Sequence, residues 1–274
     1  MCCFSLPILH VSGTRIFARA TAQERQLLVY AMELAANEDV AMVLPLPVPR
    51  GTPEDGVRFI DLSGYPTLLD DLGMAFARFE ETLGASELLG DEELPTAQLA
   101  VYDVGEFEAS FVPRVRDFER LDPRFRLPPA TWKALPDYAD WGFAVFKLRG
   151  FRTGFWDRLR GRGGVHPRSV HPMAFEFPRR DSRSLFFPTL HVHDGEVHRT
   201  AAFDHTLYWQ APAGAADTYV SARALSSVVI AEESQGVIDL SLGCYRRELH
   251  GTLPNQDTYV TPFRAPPGAQ APSR

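Results

Sequence analysis

Three cysteines in 274 residues are too few for a disulfide framework, and two of them, Cys2 and Cys3, are adjacent. A chain of this length must be held by a buried core instead. No uninterrupted apolar run approaches the roughly 20 residues of a membrane helix. The first ten residues lack the basic cluster and long apolar stretch of a secretory signal, so a cytoplasmic protein with no membrane partner is expected. Basic charge is also short: 28 Lys and Arg stand against 35 Asp and Glu, a net charge of −7. That excludes a general nucleic-acid binder, which needs a basic field. A phosphate-cradling glycine loop, a Gly-x-Ser-x-Gly elbow and a Cys-x-x-Cys pair are all missing. No internal repeat or clean linker divides the chain. One globular domain over residues 1–263 is expected, followed by a Pro-rich disordered tail at 264–274.

What is present reads mainly as strands. Residues 14–20 and 26–35 are rich in Ile, Phe, Leu, Val and Tyr, with polar turn residues between them. Residues 40–49 begin as a buried strand, and their prolines force an extended exit. In 67–79, Leu68, Leu69, Leu72, Ala75, Phe76 and Phe79 recur at helical spacing. Residues 98–112 read as two strands kinked at Gly105, and 114–121 as a short helix ending before Asp122-Pro123. Another strand is expected at 142–148. Residues 149–170 then hold six Arg and one acidic residue, the only strongly basic segment, read as a solvated loop or a partner-binding one. Strands resume at 172–177 and run on to about 210; 222–232 is expected to be helical and 237–249 a strand. The fold class that follows is α+β, a predominantly antiparallel β-sheet or β-sandwich with a few helices.

Four of the eight histidines fall between 191 and 205. Asp194-Gly195 is the preferred pair for a two-residue hairpin turn. With those two as the turn, His193 faces Glu196 and His191 faces His198, and alternation puts all four side chains on one face. Three imidazoles and a carboxylate on one patch of sheet suit a metal ion. Glu196 would be a fourth ligand or a proton-transfer group. His205, following Asp204, is a further candidate ligand with a carboxylate to orient it, and His171 is a secondary one. His166 lies in the basic loop.

The segment resembles a cupin metal motif, His-x-His followed by Glu and a later His, although His193 and Glu196 are closer together here than in that pattern. The resemblance implies His191, His193, Glu196 and His198 or His205 as ligands, on a β-sandwich. Cys2 adds two further readings. Removal of Met1 would expose an amine and a thiol that could join a soft metal site. The same group could be the nucleophile of an N-terminal-nucleophile amidohydrolase, with its own amine as base. Hydrolases of the choloylglycine type begin Met-Cys and carry a later Arg, a role that the resemblance would give to Arg19; the Asp that usually follows is absent from Ala20-Thr21-Ala22. Cys2-Cys3-Phe4, Arg15-Ile16-Phe17-Ala18 and Met42-Val43-Leu44-Pro45-Leu46-Pro47 also resemble the opening of an uncharacterised bacterial family, which implies architecture and no chemistry. Cys244 reads as a small core residue.

Three functions are therefore expected in order. The first is a metal-binding protein or metalloenzyme using His191, His193, His198, His205 and Cys2, with copper or zinc favoured and iron possible. The second is an amide hydrolase using Cys2. The third is a non-enzymatic binding protein. The partner would be a small molecule or a peptide, and the oligomeric state is left open.

Overall fold

The computed structural model describes residues 2–82, 107–148, 168–212 and 218–261. The expected tail, the Arg-rich loop up to residue 167, His166, Met1 and the first strand of 98–112 lie outside the described residues.

Two sheets face each other. The first has strand order β10-β1-β4-β7-β6, with β1 at Cys2–Phe4, β4 at Val40–Leu46, β6 at Phe107–Val112, β7 at Gly142–Leu148 and β10 at His191–Val192. The second has order β12-β13-β11-β2-β3-β8-β5: β2 is His10–Thr21, β3 Arg25–Ala35, β5 Arg58–Ile60, β8 Arg168–Pro178, β11 Thr200–Ala211, β12 Thr218–Val220 and β13 Gly243–Pro254. A small ribbon pairs β9 (Leu185–Phe187) with β14 (Thr258–Val260). Pairing is antiparallel except at β1/β10 and β2/β11. The class is α+β with a mostly antiparallel β-sandwich, as the alternating patterns imply.

The central strands β3 and β4 are buried on both faces, which explains why they are nearly continuous apolar runs. Ile16, Leu28, Tyr30, Phe175, Leu207 and Trp209 of the second sheet meet Phe4, Met42, Leu44 and Phe146 of the first. The outer face of the second sheet is covered by α1 (Leu68–Thr82), whose Leu68, Leu69, Leu72 and Phe76 pack on Phe17, Leu27 and Val29. Short helical turns cover the first sheet, including α2 (Pro129–Ala134) and a 3-10 turn at Val115–Arg120. Pro45 sits inside β4 paired with Phe143, beyond the reach of β1, which contacts only Met42 and Val43. Its missing N–H therefore costs no ladder bond on that side.

Three expectations are corrected. The helix of 222–232 is only α3, Ala222–Leu225, capped where Ser221 Oγ accepts from Ala224 N–H, plus a 3-10 turn at Ala231–Ser234. The last long strand starts at Gly243, six residues later than expected from position 237. The largest correction is the histidine hairpin. Gly195 does adopt the turn conformation, φ +87°, yet the flanking segments do not pair. β10 lies at the edge of the first sheet and β11 in the middle of the second, so 193–199 crosses between sheets. β11 pairs along its whole length with β13 and also with β2, a far larger ladder than the short hairpin could offer.

Candidate functional site

The crossover does gather histidines, by another route. Val192 and Leu190 pack on the outer face of the first sheet, so alternation turns His191 inward, toward the second sheet. His205 lies on β11 of that second sheet, 1 % exposed. The two rings meet where the sheets converge, His191 Nε2 to His205 Nε2 at 2.9 Å. His193 stacks on His191 with centroids 4.8 Å apart and planes 18° from parallel. Phe203 closes the other flank at 4.5 Å from the His191 ring. A cavity of about 410 Å³ opens beside them, lined also by His10, Ser12, Thr14, Tyr30 and Asp204.

The neighbouring carboxylate biases the proton positions. Asp204 Oδ1 is 3.5 Å from His205 Nδ1, and Asp204 Oδ2 accepts from Gly13 N–H at 2.7 Å. Gly13 has φ +57° at the bulge where the β2/β3 register shifts, a conformation glycine adopts without strain. A carboxylate beside Nδ1 favours the proton there, leaving His205 Nε2 as acceptor and His191 Nε2–H as donor. The three groups form a row, Asp204–His205–His191, in which only the His205–His191 link is a hydrogen bond and the Asp204 carboxylate is an ion-pair contact. Buried His193 Nε2 has no hydrogen-bond partner.

Burial also sets the charge. Desolvation, reinforced by the neighbouring imidazoles, pushes His191 down to about 3 and His193 down to about 4. Desolvation lowers His205 too, against the pull of Asp204. Asp204 stays below the usual carboxylate range because contact with His205 and the Gly13 N–H outweighs its own burial. At neutral pH the cluster therefore holds three uncharged imidazoles next to one anion.

Backbone placement of His191 comes from an unforeseen residue. Asn255, just past β13, accepts His191 N–H on Oδ1 at 2.7 Å and donates from Nδ2 to His191 O at 2.9 Å and His198 O at 3.0 Å. Its amide substitutes for a strand on that edge. On the other edge, β1 runs parallel with Cys2 in register with His191. The side chain of Cys2 lies outside the description.

The remaining expected residues are elsewhere. His198 is exposed and bound to Asp194 Oδ2 at 2.8 Å, which raises its pKa. Glu196 is exposed on the crossover and does not line the cavity. Both were expected beside His191; the crossover path separates them from it. His171 is buried on β8 and lines no part of the cavity. Arg19 donates to the carbonyls of Val237 and Gly236 at 3.0 and 2.7 Å. It shares the α1-facing side of β2 with Phe17, so the second sheet stands between it and β1. Cys244 is a fully buried thiol, as expected. Among the described residues, no three His, Cys, Asp or Glu side chains already surround one point as metal ligands. No described helix is long and apolar enough to cross a membrane.

No protein-family model matches the chain, and no curated protein matches it. Solved structures of baculovirus P35 show distant likeness. The crystal structure of P35 aligns with TM-score 0.45 and 15 % identity over 75 % of this chain, which spans 66 % of that chain's length. A mutated P35 after caspase cleavage, at 3.1 Å resolution, gives 0.46 and 11 %, over 93 % of this chain and 99 % of that one. The caspase-8/P35 complex gives 0.39 and 15 %, over 74 % and 65 %. Overlap at this level supports no functional conclusion, and the site must be read from its own geometry.

Proposed function

We propose that the protein binds a transition-metal ion in this cavity, held by His191, His193 and His205, with Cys2 as a fourth donor. The observation that carries the reading is the convergence of uncharged imidazoles on one cavity, two of them with Nε2 atoms 2.9 Å apart. Two nitrogens on one tetrahedral zinc lie about 3.3 Å apart, from bonds of roughly 2.0–2.1 Å. A small opening of the pair would admit an ion between the two Nε2 atoms, the His191 proton moving to Nδ1 as that ring changes tautomer, and the Cys2 thiol would give up its proton on binding. Asp204 then acts as the outer carboxylate that orients His205. Nitrogen donors joined by sulfur favour copper or zinc over iron. Space beside the ion suits a small molecule, as in a metal-dependent hydrolase or oxidoreductase. The buried thiol of Cys244 suits a reducing compartment such as the cytoplasm.

Elemental analysis after loading with zinc or copper and desalting tests this. About one equivalent is expected in wild type and none in His191→Ala/His205→Ala. Wild type emerging without metal, or the double variant retaining it, overturns the proposal. A second reading is a non-enzymatic protein whose cavity takes an organic ligand. It is favoured by the absence of three ready-placed ligands among the described residues, and native mass spectrometry of metal-free protein carrying an organic adduct would select it. The Cys2 hydrolase reading loses its partner, because Arg19 is engaged with Gly236 and Val237 across the second sheet.

A further inference from the structure

A second cavity, of about 270 Å³, lies beside the β9/β14 ribbon and shares no lining residue with the histidine cavity. Its walls are aromatic. Trp141 and Phe186 meet edge to face at 5.6 Å, and Phe186 packs against Tyr259 at 5.4 Å. Phe177 completes the apolar surface. The wall is held in place by Gln26, whose side-chain amide donates to Phe186 O at 2.7 Å and accepts from Phe186 N–H at 3.0 Å. A rigid aromatic slot of this size holds a single ring rather than a drug-sized molecule.

Charge at the slot is unevenly satisfied. Arg180 donates from Nε to Val48 O at 2.9 Å and from its two terminal nitrogens to Asp140 Oδ1 and O. Asp181, also in the wall, is held by Arg183 through Nε and Nη2, both at 2.9 Å. Arg179 differs. Its Nη1 donates to Ser182 O at 2.9 Å, while its buried Nε–H has no hydrogen-bond acceptor. Among the described residues no carboxylate lies within ion-pair distance of it, although the charges of Glu24 and Asp181 act on it from further away. A donor nitrogen removed from water without an acceptor is costly unless one arrives. Its Nε/Nη2 edge matches the two oxygens of a carboxylate.

We propose that this cavity binds a small aromatic monocarboxylate, its carboxylate on the Nε/Nη2 edge of Arg179 and its ring among Trp141, Phe186 and Tyr259. The aromatic walls select a planar apolar body, and the unmet Nε–H of Arg179 selects a group that brings a negatively charged acceptor. A neutral aromatic would leave Nε–H unmet, and an inorganic anion would leave the slot unfilled.

Benzoate is the probe, followed by calorimetry and by the ring resonances of Trp141 and Tyr259 in the full chain. Saturable binding in the low-millimolar range is expected for a ligand this small. Benzyl alcohol, which lacks the charge, should bind about tenfold more weakly, and Arg179→Met should weaken benzoate by about tenfold. Tyr259 is 49 % exposed, so Tyr259→Ala removes one wall with little risk to the fold and should also weaken benzoate. His191→Ala/His205→Ala should leave benzoate binding unchanged, which separates this site from the histidine cavity. Absence of saturable benzoate binding, equal binding of benzyl alcohol, or benzoate affinity unchanged in both Arg179→Met and Tyr259→Ala would overturn the proposal.

Discussion

The middle of the sandwich and its histidine end lie between the same two sheets and are built on opposite terms. In the middle, Trp209 is fully buried and stacked on Tyr245 at 5.6 Å, with Phe187 edge-on at 6.4 Å. Aromatic and aliphatic side chains fill the space by close packing, with the buried Nε1–H of Trp209 left without a hydrogen-bond partner. At the end, imidazoles replace the aromatics and a cavity replaces close packing; His191 and His205 share a hydrogen bond, while His193 Nε2 is left without one. The difference teaches where stability and function separate. The middle tolerates no missing volume, whereas the end holds polar groups whose arrangement is maintained from outside by Asn255, Asp204 and the Gly13 bulge.

The strongest way to break this contrast is to empty the middle. Trp209→Ala should cost about 3–5 kcal/mol, the range for deleting a large buried aromatic. Chemical denaturation would measure it, and the fraction that folds should keep wild-type metal uptake. Loss of metal uptake in well-folded Trp209→Ala would show that the two regions are coupled. A smaller effect is expected at the histidine end. Asn255→Ala leaves the His191 N–H and C=O without their partners and should cost about 1–3 kcal/mol. It should also weaken metal uptake, unlike a change in the middle; full uptake in this variant would mean that β10 is held by β1 alone.

The smallest effect is the pH response, and its sign differs between the two kinds of histidine. Interior His191 and His193 titrate near 3 and 4 when folded, against about 6.5 unfolded. Between those values the unfolded chain binds more protons, so their contribution is full above about pH 6.5 and declines as pH falls toward 4. Exposed His198 has a raised pKa beside Asp194. Its contribution is present at low pH and fades as pH rises through its folded pKa. Imidazole resonances followed through a pH titration should separate the two groups on either side of about 6.5. Interior rings titrating with His198 would place the cluster in water and remove the basis of the proposed site.

Much of the fold was legible because it rests on local patterning. β2, β3, β4, β7 and α1 fall where alternation, apolar runs and helical spacing put them. Candidate site residues were legible only by type. The clustering of histidines pointed to His191, His193 and His205, and the Asp204-His205 step foretold the carboxylate at Nδ1. The pairing of His191 with His198 failed because Asp194-Gly195 encodes a turn without encoding which strands flank it. Asn255 was out of reach because it acts through its side-chain amide on backbone 64 residues away. His10 and Gly13 were missed for a related reason. Their place at the cavity depends on β2 running parallel beside β11, and no local signal announces a parallel neighbour.

Composition and periodicity by themselves determined a β-rich chain with a large core, few helices and too little cysteine for cross-links. Those features depend on neighbours a few residues apart, where side-chain direction follows from the backbone period. Tertiary structure alone decided that residues 191 and 205 would sit in different sheets and still touch. It also decided that His198 would face water. Ladder pairing over long sequence separations fixed both outcomes, because the twelve-residue strand β11 gains more from β13 and β2 than from a short local hairpin. The same sequence cluster was thereby split into a buried, uncharged set and an exposed, proton-binding one.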